Sequence, residues 1–387
     1  MSNRPFRKFG ALAFAAAILL APLVVQAKPL LNPANAHAYS ARAMVYQNKR
    51  EYDHAIADSA KAIALDPKFA TAYYDRGSAY QSRGDVARAR ADYDEAIRLA
   101  PDFAGFYRTR ALLRKSQRDY DGAVTDLSTA IRLDAKDSLA LAFRGNTYVE
   151  QKDYDKALVD FEAALRLDPA EDSAYAGRAD VRVARGDYDS AIADYTKALE
   201  LAPKAASTYN DRAIAFARTG DYERALADYD TALTLSPDDT GMRNGRANTR
   251  FLAGRFADAA ADYSGLVERS PYYALLRYLA RARAGEFDSA ELRRNTEQLD
   301  RKMWPWPIIA VYLGEMKREQ LRDWINERDH EQRACDEAFY IGEYSLTRRR
   351  RDEALAWLQQ AAKTCEAGAV ERDVAESELR RLQTAAK

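Results

Sequence analysis

The sequence predicts an all-α fold, an α-solenoid of helix-turn-helix repeats with no sheet. Three observations predict it. Pro67, Pro101, Pro169, Pro203, Pro237 and Pro271 fall on one 34-residue grid, with Ala135 in the missing place. An alanine recurs on the same period at Ala55, Ala89, Ala123, Ala157, Ala191, Ala225 and Ala259. Four residues later stand Ser59, Tyr93, Leu127, Phe161, Tyr195, Tyr229 and Tyr263, mostly large apolar rings. A fixed period of this length is the mark of a repeat architecture.

One unit shows why each part folds as it does. In residues 206–239, Tyr209, Ala213 and Phe216 share one face of a first helix. Gly220 can take the left-handed conformation that ends it, and Asp221 can cap the next helix. Tyr222, Ala225, Leu226, Tyr229 and Leu233 make the apolar side of that second helix. Ser236-Pro237 stops it, because proline disfavours helix in the residue before it. A single hairpin cannot bury its apolar face, so neighbouring hairpins must stack. Seven units follow, at 36–69, 70–103, 104–137, 138–171, 172–205, 206–239 and 240–273.

Beyond residue 273 the register fails. Residues 274–334 read as a degenerate repeat and an irregular helical segment. A shortened hairpin is expected at 274–284 and 287–303, then Trp304-Pro305-Trp306-Pro307, then helices at about 307–314 and 317–328. A further repeat returns at 335–368, and 369–387 reads as a capping helix with Val370, Val374, Leu379 and Leu382 as its apolar contacts.

The start of the chain reads as an export signal. Arg4, Arg7 and Lys8 precede an apolar run from Phe9 to Val25, and Val25-Gln26-Ala27 offers small residues for cleavage after Ala27. A retained anchor is the other reading of residues 1–27; Pro22 interrupts the run. No cysteine stands near the cleavage point for lipid attachment, and 28–35 forms a short linker. The expected location is the periplasm, with no integral membrane span after cleavage. Cleavage leaves 56 basic against 59 acidic residues, a net of −3. That balance supplies no electrostatic reason for a nucleic-acid partner.

The first helix of every unit holds an arginine on the grid: Arg42, Arg76, Arg110, Arg144, Arg178, Arg212 and Arg246. Sixteen residues on stand Asp58, Asp92, Asp126, Asp160, Asp194, Asp228 and Asp262. Two readings fit: a ladder of ion pairs tying helices together, or a row of guanidinium groups lining a groove for an anionic ligand. The seven matched acids favour the ladder. Cys335 and Cys365 stand at the two ends of the last hairpin, which an antiparallel turn brings together; oxidising surroundings favour a disulfide over two thiols. Trp304 and Trp306 read either as a structural plug or as an exposed aromatic contact for a partner. Arg348 to Arg351 lie in the turn of the last hairpin, as a solvated loop or a docking patch.

Catalysis finds little support. His37, His54 and His330 are far apart, and no motif for phosphate cradling or nucleophilic attack is present. No cofactor or metal is expected.

The pattern of an aromatic, then alanine, then Phe or Tyr, then proline resembles the tetratricopeptide repeat. The resemblance implies a right-handed superhelix whose first helices line a groove for protein partners. The groove positions are then Tyr74, Arg108, Asn146, Asn210, Asn244 and Asn248. Asparagine suits a peptide backbone, because its amide donates and accepts at once. Tyr312-Leu313-Gly314, Phe339-Tyr340-Ile341-Gly342-Glu343-Tyr344 and Asp352-Glu353-Ala354 resemble the closing repeat of NlpI-like bacterial envelope proteins. That second resemblance implies an adaptor for envelope proteins, and self-association into a homodimer. A part in secretion, pilus or outer-membrane assembly is an alternative. So is carbohydrate or peptidoglycan binding through Trp304 and Trp306.

Overall fold

The structure is a computed structural model that describes residues 35–324 and 330–384. The expected signal 1–27 lies outside the described residues. Every regular element among those residues is helical. The chain forms two compact units, Met1–Asp187 and Tyr188–Lys387.

The described part of the first unit runs α1 (Ala36–Asn48), α2 (Tyr52–Leu65), α3 (Ala70–Ser82), α4 (Val86–Leu99), α5 (Ala104–Ser116), α6 (Tyr120–Leu133), α7 (Ser138–Glu150), α8 (Tyr154–Leu167) and α9 (Asp172–Ala184). Each helix packs on the next. Small residues make the close approach possible: Ala55, Ala89, Ala123 and Ala157 are at most 1% exposed. Tyr93, Leu127 and Phe161 fill the space between, also fully buried. Asp85, Asp119 and Asp153 cap α4, α6 and α8, each accepting a backbone N–H three residues on.

The second unit begins with α10 (Tyr188–Leu201), α11 (Ala206–Thr219), α12 (Tyr222–Leu235), α13 (Thr240–Leu252), α14 (Phe256–Ser264) and α15 (Pro271–Arg283). Gly220 ends α11 at φ 85°, and Asp221 caps α12. Three first helices of the other unit turn at the same place without glycine: Arg50, Arg118 and Lys152 hold φ of 61°, 63° and 62°.

The irregular region is less helical than its sequence suggests. The segment expected to be helical over 287–303 holds only α16 (Ser289–Asn295). Thr296 turns its hydroxyl back to the Leu292 carbonyl at 2.7 Å, and the Leu299 N–H bonds Thr296 in a turn, so the chain leaves the helix there. Next come α17 (Trp306–Tyr312), near the helix expected at 307–314, and a 3₁₀ turn at Arg318–Trp324; the end of the helix expected at 317–328 lies outside the described residues. The unit closes with α18 (His330–Thr347), α19 (Arg351–Thr364) and α20 (Val370–Thr384). Cys335 and Cys365 are joined by a disulfide. One apolar core runs from Ala247 to Ala375, with Val370, Leu379 and Leu382 packed on its margin.

Candidate partner-binding face

The grid arginines lie between helices, not in an open groove. Arg42, Arg76, Arg110, Arg144, Arg212 and Arg246 each bond both oxygens of the aspartate sixteen residues on, within 2.5–2.9 Å. This is the paired fork geometry that makes guanidinium–carboxylate contacts strong. Four of these arginines also reach the second helix of the preceding repeat. Arg110 and Arg246 donate to Asp94 and Asp230, both at 2.7 Å. Arg144 and Arg212 donate to the hydroxyls of Ser128 and Thr196 at 3.0 Å. The upstream aromatic covers the guanidinium, as in Arg110 over Tyr107 at 5.7 Å and Arg178 over Tyr175 at 5.6 Å. Asp58, Asp92, Asp126, Asp160, Asp194, Asp228 and Asp262 are all buried. Each of these four arginines therefore ties a first helix to two second helices.

The groove candidates are half-buried, and several are already engaged. In the first unit the Tyr74 ring stacks on Phe106 at 5.3 Å, and Arg108 pairs with Asp137. The main-chain carbonyl of Asn146 accepts from Lys115 Nζ at 3.4 Å. Neighbouring first helices are linked by Ser40 with Asp75 and by Gln47 with Ser82. Burial pushes the Asp75 carboxyl up to about 6, against the Ser40 hydroxyl that lowers it.

In the second unit Asn210 donates to Asp211 at 3.3 Å, and Asn248 accepts from the Tyr263 hydroxyl at 2.6 Å. Asn244 lies half-buried one turn before Asn248 on α13. Here the chain folds back on its own first helices. Arg218 of α11 pairs with Asp373 of α20 and donates to the Gly368 carbonyl at 3.1 Å. Arg381 of α20 donates to the terminal carbonyls of α13, Phe251 and Leu252. Arg283 of α15 bridges Glu343 of α18 at 3.0 Å and Glu378 of α20 at 2.9 Å. Burial pushes the Glu343 carboxyl up to about 7, while Arg283 pulls it down.

Trp304 and Trp306 do not form an exposed aromatic contact. Trp306 is 8% exposed, with Arg301 lying 4.8 Å over its ring. Trp304 donates its indole N–H to Asp336 at 2.7 Å. The same carboxylate accepts from the Tyr272 hydroxyl at 2.8 Å and from Gln332 at 2.9 Å. The Trp306 ring is held by burial and the Trp304 ring by its hydrogen bond. Two arginines of the 348–351 turn are likewise engaged: Arg348 lies over Tyr344, and Arg351 donates to the Leu382 carbonyl.

Sequence reasoning missed the buried acids of the closing helices. The signal was present in Glu343 and Glu378, which interrupt otherwise apolar helix faces. Such residues are buried only when paired.

Stacked helical hairpins held by a repeated buried ion pair define an α-solenoid repeat protein, a scaffold for protein–protein interaction. The chain belongs to the tetratricopeptide repeat family, whose signature is matched over residues 42–104, 138–170, 176–240 and 210–274. Among solved structures it is similar to a tetratricopeptide repeat protein from Parabacteroides merdae, at 20% identity and a TM-score of 0.50. That match covers 63% of this chain and 98% of the other. It is also similar to the Cut9–Hcn1 hetero-tetramer of the APC/C, at 18% identity and a TM-score of 0.52, covering 68% of this chain and 50% of the other. These likenesses are of fold. No curated protein sequence matches the chain.

Proposed function

We propose that this protein is a non-catalytic scaffold of the bacterial cell envelope, exported to the periplasm and holding protein partners on its first-helix face. The observation that supports this most is the division of labour along the repeats. The grid Arg–Asp pairs are buried between helices, whereas Asn210 and Asn244 stay half-exposed on the first helices of the second unit. An amide of this kind can bond a polypeptide backbone, which presents donors and acceptors alternately. The export reading rests on residues 1–27 and agrees with a disulfide, which persists in oxidising compartments. The NlpI-like pieces of the C-terminal part favour envelope proteins as partners.

The test combines fractionation with capture. The reading expects a periplasmic chain beginning at Lys28 that retains a reproducible set of envelope proteins. Asn210→Ala with Asn244→Ala is expected to weaken that retention without lowering the melting temperature. A chain confined to the cytoplasm, or capture indifferent to the double variant, would contradict it.

A further inference from the structure

The last helix of the second unit does more than close its hairpin. α20 packs on α19 and α18, as the end of a stack requires, and it also lies against α13. Three of its side chains reach helices far back in the chain. Asp373 pairs with Arg218 of α11, and Glu378 accepts from Arg283 of α15 at 2.9 Å. Arg381 donates to the Phe251 and Leu252 carbonyls of α13. All three attachments fall in the last turn of a first helix. α20 thus lies across three successive first helices, along their C-terminal ends.

These contacts are of the kind by which a scaffold holds a ligand. Two arginines of the face take two acids of α20. The C-terminal end of α13 carries partial negative charge, and Arg381 meets it. On a helix of 3.6 residues per turn, Asp373, Glu378 and Arg381 lie within about 140° of one another, so one side carries all three. The apolar share of α20 is small. Val374 and Ala375 are buried, whereas Val370, Leu379 and Leu382 pack at the margin of the core. The large buried rings Phe251, Tyr263, Phe339 and Tyr340 stand on α13, α14 and α18 instead.

The link into α20 sets it apart from the hairpin before it. The Cys335–Cys365 disulfide closes α18 on α19 before α20 begins. Residues 366–369 follow, with Gly368 at φ 89°. Departure of α20 therefore leaves that hairpin stapled. We propose that α20 is an internal ligand, seated in a berth for an amphipathic helix of a partner protein that carries two acids and a base at the spacing of Asp373, Glu378 and Arg381. The partner helix binds by displacing α20, so the apparent affinity falls with the fraction of time the berth is filled from within. This deepens the scaffold reading above and rests on it.

Hydrogen exchange of the full, oxidised chain reads whether α20 opens by itself. Amides of 370–384 are expected to exchange roughly tenfold or more faster than those of α18 and α19. The second arm uses Asp373→Asn with Arg381→Met, which cuts the attachments to α11 and α13 and spares the disulfide. A labelled peptide of residues 369–384 should bind this variant roughly tenfold or more tighter than the wild type, because the berth is vacant more often. The peptide carrying Asp373→Asn and Glu378→Gln should lose that binding. The proposal is overturned if α20 exchanges in step with α18 and α19 in either chain, since the three helices would then be one structural unit. It is also overturned if the variant binds the peptide no tighter than the wild type, or if the neutral peptide binds as well. Failure here with envelope-protein capture intact removes the berth and leaves the scaffold reading standing.

Discussion

Arg110 of α5 donates two parallel hydrogen bonds to Asp126 of α6, at 2.6 and 2.8 Å, and a third to Asp94 of α4 at 2.7 Å. One side chain thus joins three consecutive helices. These bonds to carboxylates raise its pKa further above an already high value, so it is charged at any working pH. Arg110→Met would leave Asp126, 2% exposed, with Arg114 as its one remaining cation, its Nη1 3.2 Å from the carboxylate. The expected loss is about 1.5–3 kcal/mol in chemical denaturation, the worth of hydrogen bonds to a charged group. Arg110→Lys keeps the charge but loses the fork, and should be intermediate. Loss within ~0.5 kcal/mol for Arg110→Met would mean that the ladder does not hold the stack.

The first-helix turns offer a contrast between two residues in one conformation. Gly220 has φ 85° and Lys152 has φ 62°. A side chain in the left-handed region costs roughly 1–2 kcal/mol. Gly220→Ala should therefore destabilise by about that amount, whereas Lys152→Gly should be neutral or slightly stabilising. Thermal melts of the two variants check the pair, and a loss of stability in Lys152→Gly would contradict it.

The disulfide closes the last hairpin across a sequence separation of 30. In the chain-entropy account, removing a link of that span costs roughly 3–4 kcal/mol. Cys335→Ser together with Cys365→Ser should lower the melting temperature of the oxidised protein. Reductant should lower the wild type to match and leave the double variant unmoved.

Glu343 makes stability depend on pH. Its ordinary value is 4.5 and burial raises it to about 7, with Arg283, Glu378 and Arg381 as its charged neighbours. Between those values the folded chain keeps a proton that the unfolded chain has lost. Its contribution to stability is thus complete below the ordinary value and disappears as pH rises through about 7. Glu343→Gln should flatten the fall in melting temperature between roughly pH 5 and 8. A variant whose pH profile overlays the wild type would contradict this.

The fold class was legible because each repeat restates it. Proline stops, paired alanines and a buried ring recur at fixed spacing, and each has a local physical cause. The Arg–Asp spacing was legible too, and the matched acids already favoured a ladder of ion pairs. What only the geometry shows is the further hold of Arg144 and Arg212 on the second helix of the preceding repeat. The left-handed turns at Arg50, Arg118 and Lys152 gave no sign, since an arginine or lysine there looks like any surface residue. Trp304 was left open between a structural plug and an exposed contact because its partner, Asp336, sits beyond the irregular segment. The landing of α20 on α11 and α15 joins residues 155 and 95 positions apart, Arg218 with Asp373 and Arg283 with Glu378. No local pattern encodes pairings so distant.

The central claim is that partners are held on the first-helix face. A photo-crosslinking amino acid placed at Asn244, half-buried on α13, reads that face directly in growing cells. The same group at Leu167, 45% exposed at the end of second helix α8, serves as the comparison. The account predicts discrete adducts with envelope proteins from position 244 and none of the same adducts from position 167. Absence of protein adducts at 244, or an identical set at 167, would contradict it.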